Sequence, residues 1–461
     1  MSEGEQKTQN DLKRSVVNER SGSTREVFSL AYPLVISFLS FSIMGIVDTF
    51  IIGRVGTAEQ GGVGMGQTLA WTVFSFFTGA ISALTTFVAQ AYGAGKHDTL
   101  AKWVTTTLAL VAPMSLIGWL TIPFLPTLVD MMGTTPEVRP HVLTYMIVRI
   151  WGMPFILLNF AFSAFLRGLG DTRTPMFVTI AANVVNALLD VILIFGYGPI
   201  PALGVYGAAQ ATVIATIIGA AMYARVYLSA KHHAAFGTRH LAWPGHDYIV
   251  RFLKISLPVG GSWVVESVSW AVMTIYVASI DPAGLAAHVI VFQCIHFSFM
   301  PAAAISIVAS TLVGQYLGAE RVDLAKRSAR TTIFWGTAFM ATVGVAFYLL
   351  REQLVGQFNA DPEVIKTGAT LIIVAASFQV FDALGITTSG VLRGAGDTRY
   401  PLYVQFGAAW GLFIPLIFLF GKTMDGGVVG AWIAALTFIV VLAVAMVFRY
   451  LGGKWQKMRV A

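Results

Sequence analysis

Long apolar segments alternate along the chain with short polar ones, and this pattern predicts membrane-spanning helices. A helix that crosses the hydrocarbon core needs roughly 20 mostly apolar residues. Several stretches of this length contain no Asp, Glu, Lys or Arg. Division at Gly, Pro and charge clusters predicts twelve helices, at about 28–52, 62–90, 102–125, 141–166, 175–197, 204–229, 251–280, 285–314, 330–350, 368–392, 400–421 and 428–450.

The composition agrees with a polytopic membrane protein. Only 11% of the 461 residues are charged and 56% are hydrophobic, whereas soluble chains are roughly 25% charged. A soluble domain is therefore excluded. The single cysteine, Cys294, lies in an apolar run, so an intramolecular disulfide is excluded and the residue is interpreted as part of the packing.

The basic residues predict the topology. With twelve spans both termini lie on one side, and 24 of the 30 Lys and Arg residues fall on that side. The positive-inside rule makes this side cytoplasmic. The net charge of +7 is thus explained by topology, and no nucleic-acid partner is expected. The six basic residues on the other side are Arg54, Arg139, Arg149, Arg351, Lys366 and Lys422.

An internal repeat relates the two halves of the chain. Residues 166–175 read LRGLGDTRTP and residues 392–401 read LRGAGDTRYP, so eight of ten positions match. The same spacing, within three residues, aligns Pro33 with Pro258. Because an even number of spans separates the copies, both have the same orientation. We predict two six-helix bundles related by a parallel repeat, with a cleft between them that opens to either side.

These observations predict a domain organisation. The expected parts are a cytoplasmic tail at 1–26, a first lobe at 27–229, a linker at 230–250, a second lobe at 251–450 and a tail at 451–461. The linker contains His232 and His233, which we interpret as solvated rather than as metal ligands. The repeated LRG-x-GDTR segments are interpreted as tight helix connections in preference to a cytoplasmic gate.

Four acidic residues lie deep in predicted helices: Asp48, Asp190, Glu266 and Asp382. Each costs on the order of 2.5–3.5 kcal/mol at the centre of a bilayer, so each is expected to face protein or water. Only Arg149 is basic at a comparable depth. We predict neutralisation by a proton or a metal cation; the alternative is a hydrogen bond from a protonated carboxyl group. None of the four has an acid at the equivalent position of the other half.

The spacing in the first lobe suggests a cation site. Asn186 and Asp190 are four residues apart and share a helical face. With Asp48 and a hydroxyl such as Thr212 they offer hard oxygen ligands for Na⁺ or a proton relay. Glu266 and Asp382 form a second candidate pair. Bulky residues that could stack on an organic cation, or simply pack the core, are Met44, Trp71, Phe74, Trp263, Trp270 and Phe292.

The chain after residue 27 resembles the multidrug and toxic compound extrusion (MATE) family. The similar segments are YPLVISFLSFSIMGIVDTFIIGRVG, VAQAYGAG, FLRGLGDTRTP, NVVNALLDVILIFG, LPVGGSWVVE, LAAHVIVFQ and FDALGITTSGVLRGAGDTRYP. Met44 stands where DinF-type members have Tyr, so the resemblance is to the NorM type. It implies a V-shaped cleft, a cation or proton site at Asp48, Asn186, Asp190 and Thr212, and an acid pair at Glu266 and Asp382.

The resemblance also implies a function. We expect a multidrug exporter that exchanges cytoplasmic organic cations or amphipathic compounds for external Na⁺ or H⁺, with no cofactor besides the coupling ion. An exporter or flippase for one metabolite or lipid-linked precursor is the alternative. An enzyme is not expected, because the four acids lie on four helices. We expect a monomer in the plasma membrane, the inner membrane of a bacterium, with both termini cytoplasmic.

Overall fold

The structure is a computed structural model that describes residues 21–239 and 243–460, and it is built of helices. In this part of the chain, eleven helices are long and apolar enough to cross a membrane, and a bent pair brings the number to twelve. The described residues form no strand beyond one bridge between Tyr197 and Ile200. The predicted all-α fold with twelve spans is confirmed.

We number the spans α1 to α12. Their bounds are Thr24–Ile52, Thr57–Gly93, His97–Met131, Arg139–Trp151 with Met153–Gly168, Arg173–Phe195, Gly204–Tyr227, His246–Ala278, Pro282–Gly318, Val322–Gly356, Pro362–Ala395, Arg399–Thr423 and Gly427–Leu451. Most predicted ranges are shorter than the observed helices, most clearly for α9, because charged turns at the helix ends extend beyond the apolar segment; α5 has the predicted length and α6 ends two residues earlier than predicted. At 1.5 Å per residue, the 35 residues of α9 cover about 50 Å.

Three spans are irregular at positions that the apolar pattern does not reveal. The two parts of α4 meet at an angle of 52°, where Gly152 joins them and Pro154 lies in the first turn of the second part. Within α2 the helix is interrupted between Ser82 and Leu84. In α11 two stretches have π-helical hydrogen bonding, Ala409–Phe413 and Leu419–Thr423.

The described residues divide into two compact units. Unit 1 comprises residues 36–260, and unit 2 comprises residues 21–35 together with 261–460. Each division falls inside a span, α1 or α7, two residues after Pro33 or Pro258. Because the repeat aligns these prolines, the first span of each half is divided at the same place. The lobe limits predicted from the sequence, 27–229 and 251–450, remain a prediction.

Side-chain contacts explain these divisions. In unit 2, Tyr316 donates a hydrogen bond of 2.6 Å to Oε1 of Glu26 at the start of α1. The indole of Trp335 donates to Thr24 Oγ1 at 3.1 Å. In unit 1, Phe252 near the start of α7 packs against Phe87, with ring centroids 5.5 Å apart.

Each unit has its own apolar core. In unit 1, the spans α1, α2, α4, α5 and α6 contribute to a cluster built from Ile51, Ile52, Val63, Tyr145, Ile194, Val205, Ala208 and Ala209. In unit 2, a larger cluster includes Met273, Val291, Phe347, Phe378, Phe413 and Trp432. These cores hold the polar side chains described below in fixed positions.

The repeated LRG-x-GDTR segments form the same turn twice. Gly170 and Gly396 have φ of 85° and 92°, a left-handed conformation that favours glycine. After each glycine the aspartate amide bonds back to a helical carbonyl: Asp171 N to Leu166 O and Asp397 N to Leu392 O, both at 2.9 Å. Asp397 also pairs with Arg449 at 2.6 Å. This geometry supports the interpretation as a tight connection.

The linker is more ordered than we expected. Residues Ala230–Phe236 form a short helix in which His232 is buried. Its Nδ1 lies 2.9 Å from Val226 O and 3.0 Å from Ser229 Oγ. Burial lowers the pKa of His232. The interpretation of the two histidines as a solvated pair is therefore wrong for His232, because the helix turns its ring onto Phe165 and Phe236.

A further turn occurs in both halves but with different residues. It follows α2 at Gly95, with φ of 68°, and α8 at Glu320, with φ of 61°. The next amide closes both turns: Lys96 N bonds Ala91 O at 3.0 Å and Arg321 N bonds Tyr316 O at 2.9 Å. Glu320 is exposed. Glu320 therefore adopts a strained left-handed conformation. Gly95, at the equivalent position, adopts the same conformation without strain because it has no side chain.

We predict that Glu320→Gly stabilises the protein. Relief of left-handed strain is worth about 1–2 kcal/mol, and the greater freedom of glycine in the unfolded chain offsets part of that gain. The melting temperature of the purified protein should therefore rise. Glu320→Gln removes only the charge and should leave it unchanged. An equal rise in both variants would assign the effect to charge instead of backbone strain.

Candidate functional site

Two carboxylates meet in the interior of unit 1. Asp48 on α1 is 4% exposed and Asp190 on α5 is 0% exposed, and their side chains lie within hydrogen-bonding reach of each other. Ionised carboxylates only accept hydrogen bonds, so they cannot bond to each other without a proton. Asp48 Oδ1 and both carboxylate oxygens of Asp190 accordingly have no donor among the described residues.

Two uncharged residues predicted for this site are also buried in unit 1. Asn186, one turn before Asp190, is 0% exposed, and neither its Oδ1 nor its Nδ2 has a partner in the described chain. On α6, the Thr212 hydroxyl donates to Ala208 O at 3.0 Å, which leaves its oxygen free to accept. Asn183, a further turn away, donates to Ser40 Oγ at 2.8 Å and is thereby occupied.

An arginine and a tyrosine of α4 complete the surroundings. Arg149 lies within electrostatic range of Asp48, and its guanidinium carbon lies 5.8 Å from the centre of the Phe74 ring. The buried Tyr145 lies near Asp48, and its hydroxyl is within reach of the side chains of Thr212 and Gln67. Tyr145 therefore lies between the threonine and Asp48 as an uncharged polar group.

The charges of this cluster do not balance. When both acids are ionised, Asp48 and Asp190 contribute two negative charges and Arg149 contributes one positive charge. A buried charge without compensation is costly. One proton or one monovalent cation balances the cluster, and the unpartnered oxygens of Asp48, Asn186 and Asp190 are hard donors that suit a cation such as Na⁺. The residues present thus fit either ion.

Unit 2 contains a second cluster with the same balance. The half-buried Glu266 of α7 accepts a hydrogen bond of 3.2 Å from Gln405 Nε2 of α11. Asp382 of α10 lies within electrostatic range of Glu266, and so does Arg393 of the same helix. The predicted pair is therefore brought together, again with one basic residue.

Arg393 corrects one sequence-based interpretation. We assigned it to a helix connection and considered only Arg149 deep enough to meet an acid. In the structure Arg393 belongs to the last turn of α10, where its Nη2 donates to Ser306 Oγ at 3.2 Å. Its side chain bends back along α10, with Nε donating to Ser389 O at 3.4 Å, and thereby lies within electrostatic range of Glu266. The depth of its Cα therefore misled the prediction.

The proposed substrate-stacking residues have varied surroundings. In unit 1, Trp71 is 42% exposed and Met44 is half-buried. In unit 2, Trp263 is half-buried, while Trp270 packs edge-to-face on Phe292 with centroids 5.5 Å apart. Trp270 also packs against the core of unit 2. Phe74, the sixth candidate, is buried in unit 1. The assignment of the other five to a substrate cleft stays a prediction.

Sequence reasoning missed three residues that surround the acids: Tyr145, Gln67 and Gln405. Our search considered charged residues and the amides on the helix of Asp190. Gln67 and Gln405 interrupt apolar helices just as Asn186 does, so a search for every intramembrane amide would have found both. Tyr145 gave no such signal, because tyrosine is common in apolar segments and its role depends on how α4 packs.

Comparison with known proteins gives a consistent result. The family model MatE matches residues 33–192 and again residues 258–419. The matched segments begin at Pro33 and Pro258, so the internal repeat is confirmed. The chain is 29% identical over 434 residues to the probable multidrug resistance protein NorM of Thermotoga maritima, with 94% of this chain and 93% of that protein covered.

Two further similarities agree. The chain is 28% identical to the multidrug resistance protein PmpM of Pseudomonas aeruginosa, over 87% of this chain and 84% of that protein. Its fold matches a crystal structure of a MATE protein in a bent conformation, with a TM-score of 0.85, 18% identity and 99% of each chain covered. At this identity the structural match concerns the fold alone.

We predict that the unit 1 cluster makes thermal stability dependent on one ion. A ligand that binds only the folded state at a hundred times its Kd adds about 2.7 kcal/mol. Melting of the purified protein in NaCl, compared with choline chloride at equal ionic strength and with a pH series without Na⁺, identifies the ion. Asp190→Asn should abolish or strongly reduce the shift.

The matched control for that experiment is Glu352→Gln, which alters an exposed acid of α9. It should retain the whole ion-dependent shift. If Asp190→Asn retained it too, the carboxylates of unit 1 would not be the binding site.

Proposed function

Because the chain belongs to the MatE family, a family of membrane transporters and not of enzymes, we propose that it is a secondary active multidrug exporter. It exchanges cytoplasmic organic cations or amphipathic compounds for external Na⁺ or H⁺. The relatives NorM, a probable multidrug resistance protein, and PmpM, a multidrug resistance protein, support the substrate class. We further propose that it acts as a monomer in the plasma membrane, with both termini cytoplasmic.

The observation that supports ion coupling most directly is the charge balance of the two clusters. Each combines two acids with one arginine, Asp48 and Asp190 with Arg149 in unit 1, and Glu266 and Asp382 with Arg393 in unit 2. Each therefore lacks one positive charge. A single monovalent cation, or a proton that the two carboxylates share, removes that deficit. An organic cation near the same carboxylates removes it as well.

Exchange follows if the ion and the drug compete to neutralise the same carboxylates. When the external ion occupies a cluster, the electrostatic advantage of binding a cationic drug is lost and the drug leaves. When the ion departs to the cytoplasm, the uncompensated carboxylate again favours a cation. Net transport further requires that each ligand bind the outward-open and inward-open states with different affinity. In this proposal the acids act as binding groups, and no covalent step occurs.

The second candidate function is export of one metabolite or lipid-linked precursor. It is compatible with the same buried acids, but the names of the relatives favour the multidrug function. A competition panel of chemically unrelated cationic dyes distinguishes the two. A multidrug exporter should expel most dyes and show mutual inhibition, whereas an exporter dedicated to one compound should ignore most of them.

We predict that Asp48→Asn and Glu266→Gln each depress ion-driven dye efflux from proteoliposomes by at least tenfold, since loss of one charge-assisted interaction costs on the order of 1.5–3 kcal/mol. Flux should be measured under a Na⁺ gradient at fixed pH and under a pH gradient without Na⁺. The gradient that drives wild-type efflux identifies the coupling ion.

Glu352→Gln again provides a matched acid-to-amide control and should transport normally. Equal folding of all variants is checked by their elution in detergent and their melting curves. Wild-type flux in the Asp48→Asn/Glu266→Gln double variant would rule out both clusters as the coupling sites, while leaving the transporter assignment intact.

A further inference from the structure

An apolar groove lies on unit 2 away from both acid clusters. It has a volume of about 540 Å³ and lies between α9 and α10 beside the end of α12. Its apolar lining comes from Ile333, Phe334, Ala338 and Ala341 of α9 and from Val380 and Leu384 of α10. The groove opens to the exterior of the unit, where Phe334 is 62% exposed.

The length of the groove matches one leaflet of a bilayer. Its α9 lining extends from Arg330 to Ala341. Eleven residues of helix cover about 16 Å, and half of the hydrocarbon core is about 15 Å. Because α9 and α10 are membrane-spanning, an apolar groove on their outer surface is in contact with acyl chains. Its dimensions suit a single chain from one leaflet.

One end of the groove is positively charged. Arg330 and Tyr450 close it, and the two side chains are within hydrogen-bonding reach. Among the described residues no carboxylate pairs with Arg330, since Asp323 pairs with Arg321 at 2.8 Å and Asp397 pairs with Arg449. Other exposed basic residues at this end of α9 and α12 are Arg327, Lys454, Lys457 and Arg459. An uncompensated arginine above an apolar groove complements an anionic headgroup above an acyl chain.

We propose that this groove is a binding site for an anionic phospholipid. One acyl chain occupies the apolar groove, and the phosphate accepts hydrogen bonds from the Arg330 guanidinium and the Tyr450 hydroxyl. The site lies on the side predicted to be cytoplasmic, the leaflet in which anionic lipids attract basic protein segments. The positive charge of Arg330 disfavours the organic cations proposed as substrates, so the groove is separate from the transport pathway.

The test measures lipid binding directly. Delipidated full-length protein in mild detergent is titrated with phosphatidylglycerol or phosphatidylcholine, and bound lipid is counted by native mass spectrometry. The wild type should prefer phosphatidylglycerol. Arg330→Gln should weaken phosphatidylglycerol binding about tenfold, the effect of one charge-assisted hydrogen bond, and should hardly change phosphatidylcholine binding. Ala338→Phe fills the groove and should reduce binding of both lipids.

Arg225→Gln is the matched control, since Arg225 is an exposed arginine in the last turn of α6 and lies outside the groove. It should bind phosphatidylglycerol as the wild type does. Ala341→Leu is a smaller substitution that also fills part of the groove. If it reduces lipid binding while the protein remains folded, the loss is due to a filled groove and not to misfolding. Unchanged phosphatidylglycerol binding in Arg330→Gln, or in both groove-filling variants, would overturn the proposal. Displacement of the lipid by millimolar inorganic phosphate would also overturn it, because the site would then recognise a free anion.

Discussion

The structure depends above all on the cost of leaving a charge uncompensated inside a membrane-spanning bundle. Four acids occupy apolar spans: Asp48 and Asp190 are buried in unit 1, and Glu266 and Asp382 are half-buried in unit 2. The spans position an arginine beside each pair, and amides or hydroxyls fill the adjacent positions. These groups reduce the cost but leave one negative charge in each unit. That remaining negative charge is unfavourable inside the bundle, and the proposed binding of a cation depends on it.

The parts of the fold that were predictable depend on local sequence. Apolar segments of sufficient length must form helices in lipid, since only a helix satisfies its own backbone there. The repeat was visible because glycine is required where φ is positive, as at Gly170 and Gly396, and aspartate follows to close the turn. Asp48, Asn186 and Asp190 could be selected because polar residues are so rare in such segments. Their burial in unit 1 follows from the same physical constraint.

The parts that were not predictable depend on the packing of one helix against another. Arg393 reaches Glu266 because its side chain bends back along α10, which its position in a connecting motif conceals. Tyr145 lies near Asp48 and within reach of Thr212 because of how α4 packs in unit 1. His232 is buried because a helix forms in a segment whose composition resembles a loop. In each case the direction of a side chain decides its role, and hydropathy contains no information about direction.

The two acid clusters have the same charge balance but use non-equivalent positions of the repeat. The two halves therefore diverged in which residues carry the charges. Arg393 corresponds to Arg167 at a spacing of 226 residues, and Glu266 corresponds to Phe41 at the spacing of 225 that relates Pro258 to Pro33. Unit 1 therefore retains the arginine without the acid. The Nε atom of Arg167 has no partner among the described residues, and its electrostatic neighbour is Tyr223. The arginine beside the acids of unit 1 is instead Arg149. The equivalent position in the second half of the chain is Ala375. The two units thus share an excess of one negative charge but reach it with different residues on a common scaffold, so the charge balance was kept while the positions that provide it diverged.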